Sequence, residues 1–113
     1  MPIIFVIAKD WMLRAGVRAE LRERGIDALG METLDHAARA FAGGQVPAAV
    51  VVEGIADQEG PGLENLARRV PVIVVASRME PLALPPVAAI VHRPARVQDI
   101  VEQVLRVLQG TPA

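Results

Sequence analysis

A few charged residues in this chain stand directly after apolar, β-branched runs, which is where α/β proteins place their binding and reactive groups. Glu53 ends the run 48–52, and Lys9 and Asp10 follow the first run of the chain. Arg93 comes soon after the last such run. A carboxylate at the carboxyl end of a buried strand can act as a nucleophile or bind a cation. The question is whether Glu53 carries out chemistry or only supplies a negative charge.

The segments that must position these residues alternate between strands and helices. Uninterrupted apolar runs are typical of strands that are buried on both faces, as in a parallel sheet. The run that contains Gly30 is weaker and is predicted to lie near a sheet edge. The predicted strands are 3–8, 26–31, 50–53, 71–76 and 88–91.

Helices are predicted between these strands from apolar stripes and capping residues. Asp10 caps the first helix and Gly25 ends it, while Thr33 caps the second. The third is a short segment, 63–69, of about two turns. The last helix has the clearest apolar stripe, and Gly110 closes it.

The alternation predicts a single doubly wound α/β domain over 1–113, with a frayed tail at 110–113. Three prolines fall within 77–86, so the helix expected before the fifth strand is short or missing.

Composition excludes several classes of protein. The chain has no cysteine, which rules out thiolate catalysis, zinc–cysteine sites and disulfides. Its net charge of −1 and 3% aromatic content argue against direct nucleic-acid binding and against an anionic membrane surface. The apolar runs are too short to span a bilayer, and no secretory leader is visible, so a cytoplasmic location is expected.

Other patterns indicate no enzyme. The glycines of 54–62 lack dinucleotide-binding spacing, and no serine-hydrolase motif occurs. His36 and His92 lack the spacing of metal ligands, so no metal site is expected. Arg14, Arg18 and Arg22 lie on a helix face that also carries Glu20 and Glu23, which predicts a solvated face.

Four segments of the chain define one register of strand ends and helices: IIFVIAKDWMLR, PAAVVVEG, PVIVVAS and IVHRPARVQDIVEQVLRVL. In this register the chain resembles the receiver domain of bacterial two-component response regulators over nearly its full length. In that family two acidic residues end the first strand and help to hold Mg²⁺, and an aspartate ends the third strand and accepts a phosphoryl group. A Ser or Thr ends the fourth strand, and a Lys-Pro pair follows the fifth. The four segments above carry the resemblance. It implies a flavodoxin-like three-layer sandwich with strand order 2-1-3-4-5.

Every reactive position departs from the family's pattern. The phosphoacceptor position falls on Glu53, and the lysine position falls on Arg93, although Pro94 is kept. The remaining positions are Ala8 and Lys9 for the acidic pair, beside Asp10, and Ala76 for the hydroxyl, with Ser77 one residue further on.

These departures predict a pseudo-receiver that is not phosphorylated and does not bind Mg²⁺. An ammonium at Lys9 would lie near the place of the cation, so we expect Lys9 to pair with Glu53, with Arg93 as a second candidate. Glu53 would then carry about one negative charge, against roughly −1.5 to −2 for a phosphate. Simpler roles are also open: Glu53 as a solvated carboxylate, Asp10 as a helix cap and Arg93 as a loop charge.

The resemblance implies a signalling module that works through protein–protein contact. Its partner could be a histidine kinase, an output domain, another signalling protein or a second copy of the chain. Two alternatives stay open. One is a residual phosphoacceptor that uses Asp10 and Glu53 with weak Mg²⁺ binding, and the other is a small α/β ligand-binding domain.

Overall fold

The computed structural model of the protein describes residues 3–54, 61–76 and 86–110. Strands and helices alternate along the chain as the apolar patterns predict. The strands are β1 (Ile3–Ile7), β2 (Asp27–Met31), β3 (Ala49–Glu53), β4 (Val72–Ala76) and β5 (Ala89–His92). The helices within these residues are α1 (Trp11–Glu23), α2 (Leu34–Ala42), α3 (Pro61–Arg69) and α4 (Val97–Leu108).

All five strands are parallel and form one sheet in the order β2-β1-β3-β4-β5, which confirms the predicted topology. Parallel pairing brings the carboxyl ends of the strands to one edge. Ala76 pairs with His92 and Glu53 pairs with Val75 at that edge. The topology therefore gathers residues from distant parts of the chain around the end of β3.

Each face of the sheet packs against its own pair of helices. On one face, Val17 and Leu21 of α1 and Ile100 of α4 pack against β-branched residues such as Val51. On the other face, α2 and α3 cover a core that includes Phe5. The middle strands β1, β3 and β4 are almost wholly buried, because both of their faces are covered.

The predicted caps are confirmed. The Asp10 side chain accepts hydrogen bonds from the first turn of α1, and Thr33 does the same for α2. Gly25, at φ 79°, ends α1 in a Schellman motif, in which its N–H donates to Arg22 and the Ile26 N–H donates to Leu21. Because the N–H of Ile26 is used in this cap, β2 begins one residue later than predicted.

Other element bounds differ from the prediction by one or two residues, and one predicted feature is not described. Helix α3 begins at Pro61 rather than at 63, because a proline at the first helical position needs no intrahelical N–H partner. Strand β5 covers Ala89–His92 rather than 88–91. The segment predicted to hold a short or missing helix falls almost entirely within 77–85, outside the described residues.

Burial in α4 gives a test of this packing. We predict that Ile100→Ala, at a fully buried position, lowers the free energy of unfolding by about 2–5 kcal/mol. Ile90→Ala is the matched control, because this β5 isoleucine is 41% exposed. The control should lower the free energy of unfolding by only about 0.5 kcal/mol, as is usual for surface substitutions. Urea unfolding of the full chain measures both, and equal losses would contradict the described packing.

Candidate functional site

The site lies at the carboxyl edge of the sheet and is built around the carboxylate of Glu53. This residue is the last of β3, and its side chain is only 14% exposed. Oxygen Oε1 accepts hydrogen bonds from the backbone N–H groups of Lys9 (2.9 Å) and Asp10 (3.1 Å). Oxygen Oε2 accepts a hydrogen bond from an Nη atom of Arg93 at 2.6 Å. Both carboxylate oxygens therefore have strong donors within the chain.

Arg93 reaches Glu53 from the segment that follows β5. Its backbone N–H donates to the carbonyl of Ala76 at 2.7 Å, which fixes the start of the side chain beside the end of β4. The peptide bond between Arg93 and Pro94 is cis. A short charge-assisted contact of the kind that Arg93 makes with Glu53 is among the stronger hydrogen bonds in proteins. The predicted pairing of Arg93 with Glu53 is therefore present, and Arg93 is not merely a loop charge.

Asp10 serves mainly as the cap of α1. Its Oδ1 accepts from the N–H groups of Met12 (3.0 Å) and Leu13 (3.3 Å), and its Oδ2 lies 3.6 Å from Arg93. The guanidinium of Arg93 thus stands between two carboxylates, nearer to that of Glu53. An ammonium role for Lys9 stays a prediction, since the contact described above is made by its backbone.

The other predicted positions carry little polar chemistry. Ala8 and Ala76 are buried and offer only methyl groups to the edge. Ser77 lies outside the described residues, so its relation to the site stays a prediction. His92 is exposed at the end of β5, and His36 is exposed in the first turn of α2. Within 3–54, 61–76 and 86–110, no group of three or more His, Asp or Glu residues could hold a metal ion.

Arg14 is a part of the site that the sequence pattern did not reveal. Its Nη1 donates to the carbonyl oxygen of Ala8 at 2.5 Å. This carbonyl belongs to the same peptide group whose N–H, on Lys9, donates to Glu53. The peptide group is thus held between a guanidinium on one side and a carboxylate on the other, and such chains of hydrogen bonds strengthen one another.

The predicted solvated face of α1 is therefore wrong for Arg14 and Arg18. Both side chains are half-buried, and Nε of Arg18 donates to the carbonyl of Ala28 at 3.3 Å. Gly30 makes this possible, because a Cβ there would lie only 2.9–3.0 Å from the stems of both arginines. The glycine that weakens β2 as a strand opens the space for two arginines over the edge of the sheet.

The two arginines allow a matched test of this arrangement. We predict that Arg14→Met speeds hydrogen exchange at the Lys9 amide by about tenfold, because it removes one charge-assisted hydrogen bond from the peptide group that contains this amide, with a smaller effect at the neighbouring Asp10 amide. Arg18→Met deletes a similar contact that does not touch the site, so these two amides should exchange as in the original protein. Equal protection in both variants, measured by NMR, would show that Arg14 does not position the site.

Comparison with known proteins bears on the fold. No protein-family model and no curated protein matches the chain. Among solved structures, the chain is similar to a response regulator receiver protein from Burkholderia phymatum, with a TM-score of 0.77, 19% identity and 96% of each chain covered. It is also similar to the N-terminal domain of a response regulator/sensory box/GGDEF 3-domain protein from Carboxydothermus hydrogenoformans, with a TM-score of 0.76 and 18% identity over 95% of this chain and 94% of that one. A putative response regulator from Chloroflexus aurantiacus J-10-fl gives a TM-score of 0.76 at 14% identity, over 96% of this chain and 99% of that one. The chain has the fold of response-regulator receiver domains.

Proposed function

We propose that this chain is a receiver-like signalling module that is not phosphorylated and has no enzymatic activity of its own. The proposal rests on the hydrogen bonds that the carboxylate of Glu53 accepts. Its two carboxylate oxygens accept hydrogen bonds from Arg93 and from two backbone N–H groups. A nucleophilic carboxylate must present a free lone pair to phosphorus. Attack through Oε1 would require its two backbone hydrogen bonds to break, and attack through Oε2 would take place beside the guanidinium of Arg93.

Charge at the edge of the sheet supports the same proposal. Phosphoryl transfer needs a cation to offset the charge of the transferring group, and hard divalent cations prefer several oxygen ligands. The side chain of Ala8 provides none, and Asp10 already caps α1 through Oδ1. In our proposal the guanidinium of Arg93 replaces the metal as the cation beside Glu53. The residual phosphoacceptor that would use Asp10 and Glu53 is the less favoured reading.

Action through protein contact is the remaining part of the proposal. Trp11 and Met12 follow Asp10 at the start of α1 and are 66% and 67% exposed. Large apolar side chains, tryptophan above all, are common anchors of protein interfaces. We propose a histidine kinase, an output domain, another signalling protein or a second copy of the chain as the partner, with no direct role for nucleic acid or membrane. Within the described residues, no helix is long and apolar enough to cross a bilayer.

Acetyl phosphate with Mg²⁺ tests the proposal. We predict that intact-mass measurement finds no phosphoryl adduct. Both oxygens of Glu53 already accept hydrogen bonds, and Ala8 and Lys9 supply no carboxylate to a divalent cation. In a separate titration with Mg²⁺, the fluorescence of Trp11, which adjoins Asp10, should not change. A receiver domain with the full acidic set serves as the positive control. A stable adduct that disappears in Glu53→Gln would overturn the proposal in favour of a residual phosphoacceptor.

A further inference from the structure

A cleft lies between α2 and α3, on the face of the sheet that these two helices cover. It is separate from Glu53 and Arg93. Its volume is about 320 Å³, which is at the lower end of the range for small-molecule sites. The apolar part of the lining comes from side chains of both helices, including Leu34, Ala38, Phe41 and Leu66. None of the residues around Glu53 lines this cleft.

Small residues keep the cleft open. Positions that would otherwise fill it carry Ala37, Ala38, Ala42 and Gly62. A Cβ at Gly62 would meet only Leu34, at an ordinary contact distance of 3.7 Å, so there is unfilled space beside this glycine. Elsewhere the short alanine side chains of α2 leave space between the helices.

The aromatic wall of the cleft is the ring of Phe41, which packs against the core of the sheet. The ring of Phe41 packs edge-to-face on buried Phe5, with ring centroids 6.2 Å apart and an interplanar angle of 77°. Phe5 lies in β1, one of the three inner strands, and is fully buried. The wall is therefore formed without a ligand, which lowers the ordering cost of binding.

The guanidinium of Arg69 lies over this wall. The guanidinium carbon of Arg69 is 5.8 Å from the centroid of Phe41. Among the described residues, Arg69 makes no hydrogen bond or ion pair, and neither does the amide of Asn65, one turn earlier on the same helix. Both residues line the cleft and lie one helical turn apart on α3, so both side chains can reach the same space.

We propose that this cleft binds a small amphipathic carboxylate. Its apolar body would lie on Phe41, Ala38 and Leu66, and its carboxylate would accept hydrogen bonds from Arg69 and Asn65. A guanidinium presents paired donors that match a carboxylate, which favours this anion over a neutral polar group. Asp35 lies near the other end of the lining, in the first turn of α2, and disfavours a second anionic group there. The proposal does not depend on the role of Glu53.

Titration of 3-phenylpropanoate into the ¹⁵N-labelled full chain, followed by NMR, tests this site. We expect saturable shifts confined to amides of 34–42 and 62–69. Arg69→Gln should weaken binding by about tenfold, as expected for the loss of a hydrogen bond to a charged group. Arg68→Gln is the matched control, since Arg68 pairs with Glu64 at 2.7 Å and does not line the cleft, and its affinity should not change.

Two further measurements test whether the carboxylate and the open cleft are both needed for binding. The neutral analogue 3-phenylpropanamide should bind about tenfold more weakly than the carboxylate, for the same reason. Ala38→Leu should abolish the shifts by filling the cleft, while the dispersion of its spectrum shows that it folds. The proposal is overturned if shifts do not saturate or centre on Arg93. It is equally overturned if Arg69→Gln binds as tightly as the original protein, or if Ala38→Leu still binds.

Discussion

A carboxylate at the end of a buried strand needs partners, and the site at the edge of this sheet is arranged to supply them to Glu53. Removing an ionised group from water is costly unless donors replace the water. With only 14% of its side chain exposed, Glu53 obtains those donors from Arg93 and from the backbone of Lys9 and Asp10. The chain thus combines the fold of a receiver domain with an internal ion pair at the position that the sequence resemblance assigns to the phosphoacceptor.

The fold supplies these partners from separate parts of the chain. Parallel pairing places the ends of β1, β3, β4 and β5 together. The Ala76 carbonyl anchors the backbone of Arg93, and Arg14 holds the peptide group that presents the Lys9 N–H to Glu53. Gly30, on a neighbouring strand, leaves room for Arg14. We therefore expect a change at any of these supports to affect Glu53, although only Glu53 and Arg93 carry the charges of the central ion pair.

Local chemistry was enough to predict the strands, their parallel pairing and most helix ends, whereas the order of the strands came from the resemblance to receiver domains. Glycines with positive φ, N-caps and continuous apolar runs are readable one segment at a time, as Asp10 and Gly25 illustrate. Arg14 could not be assigned in this way, because its half-buried position depends on a missing side chain in another strand. Placing the chain in register with receiver domains predicted that Glu53 and Arg93 lie close together. It did not predict that one Glu53 oxygen accepts from the guanidinium and the other from backbone amides. The cleft beside Arg69 depends on the spacing of two helices, which helical periodicity does not encode.

The central claim, that Glu53 and Arg93 form a stabilising ion pair, is tested most directly by a double-mutant cycle. The variants are Glu53→Gln, Arg93→Met and the pair together, each measured by urea unfolding of the full chain. The contact is short, and the Arg93 side chain is 40% exposed, so solvent weakens the attraction. We therefore predict a favourable coupling free energy of about 1 kcal/mol, lost when either partner is replaced. A coupling free energy indistinguishable from zero would contradict the account.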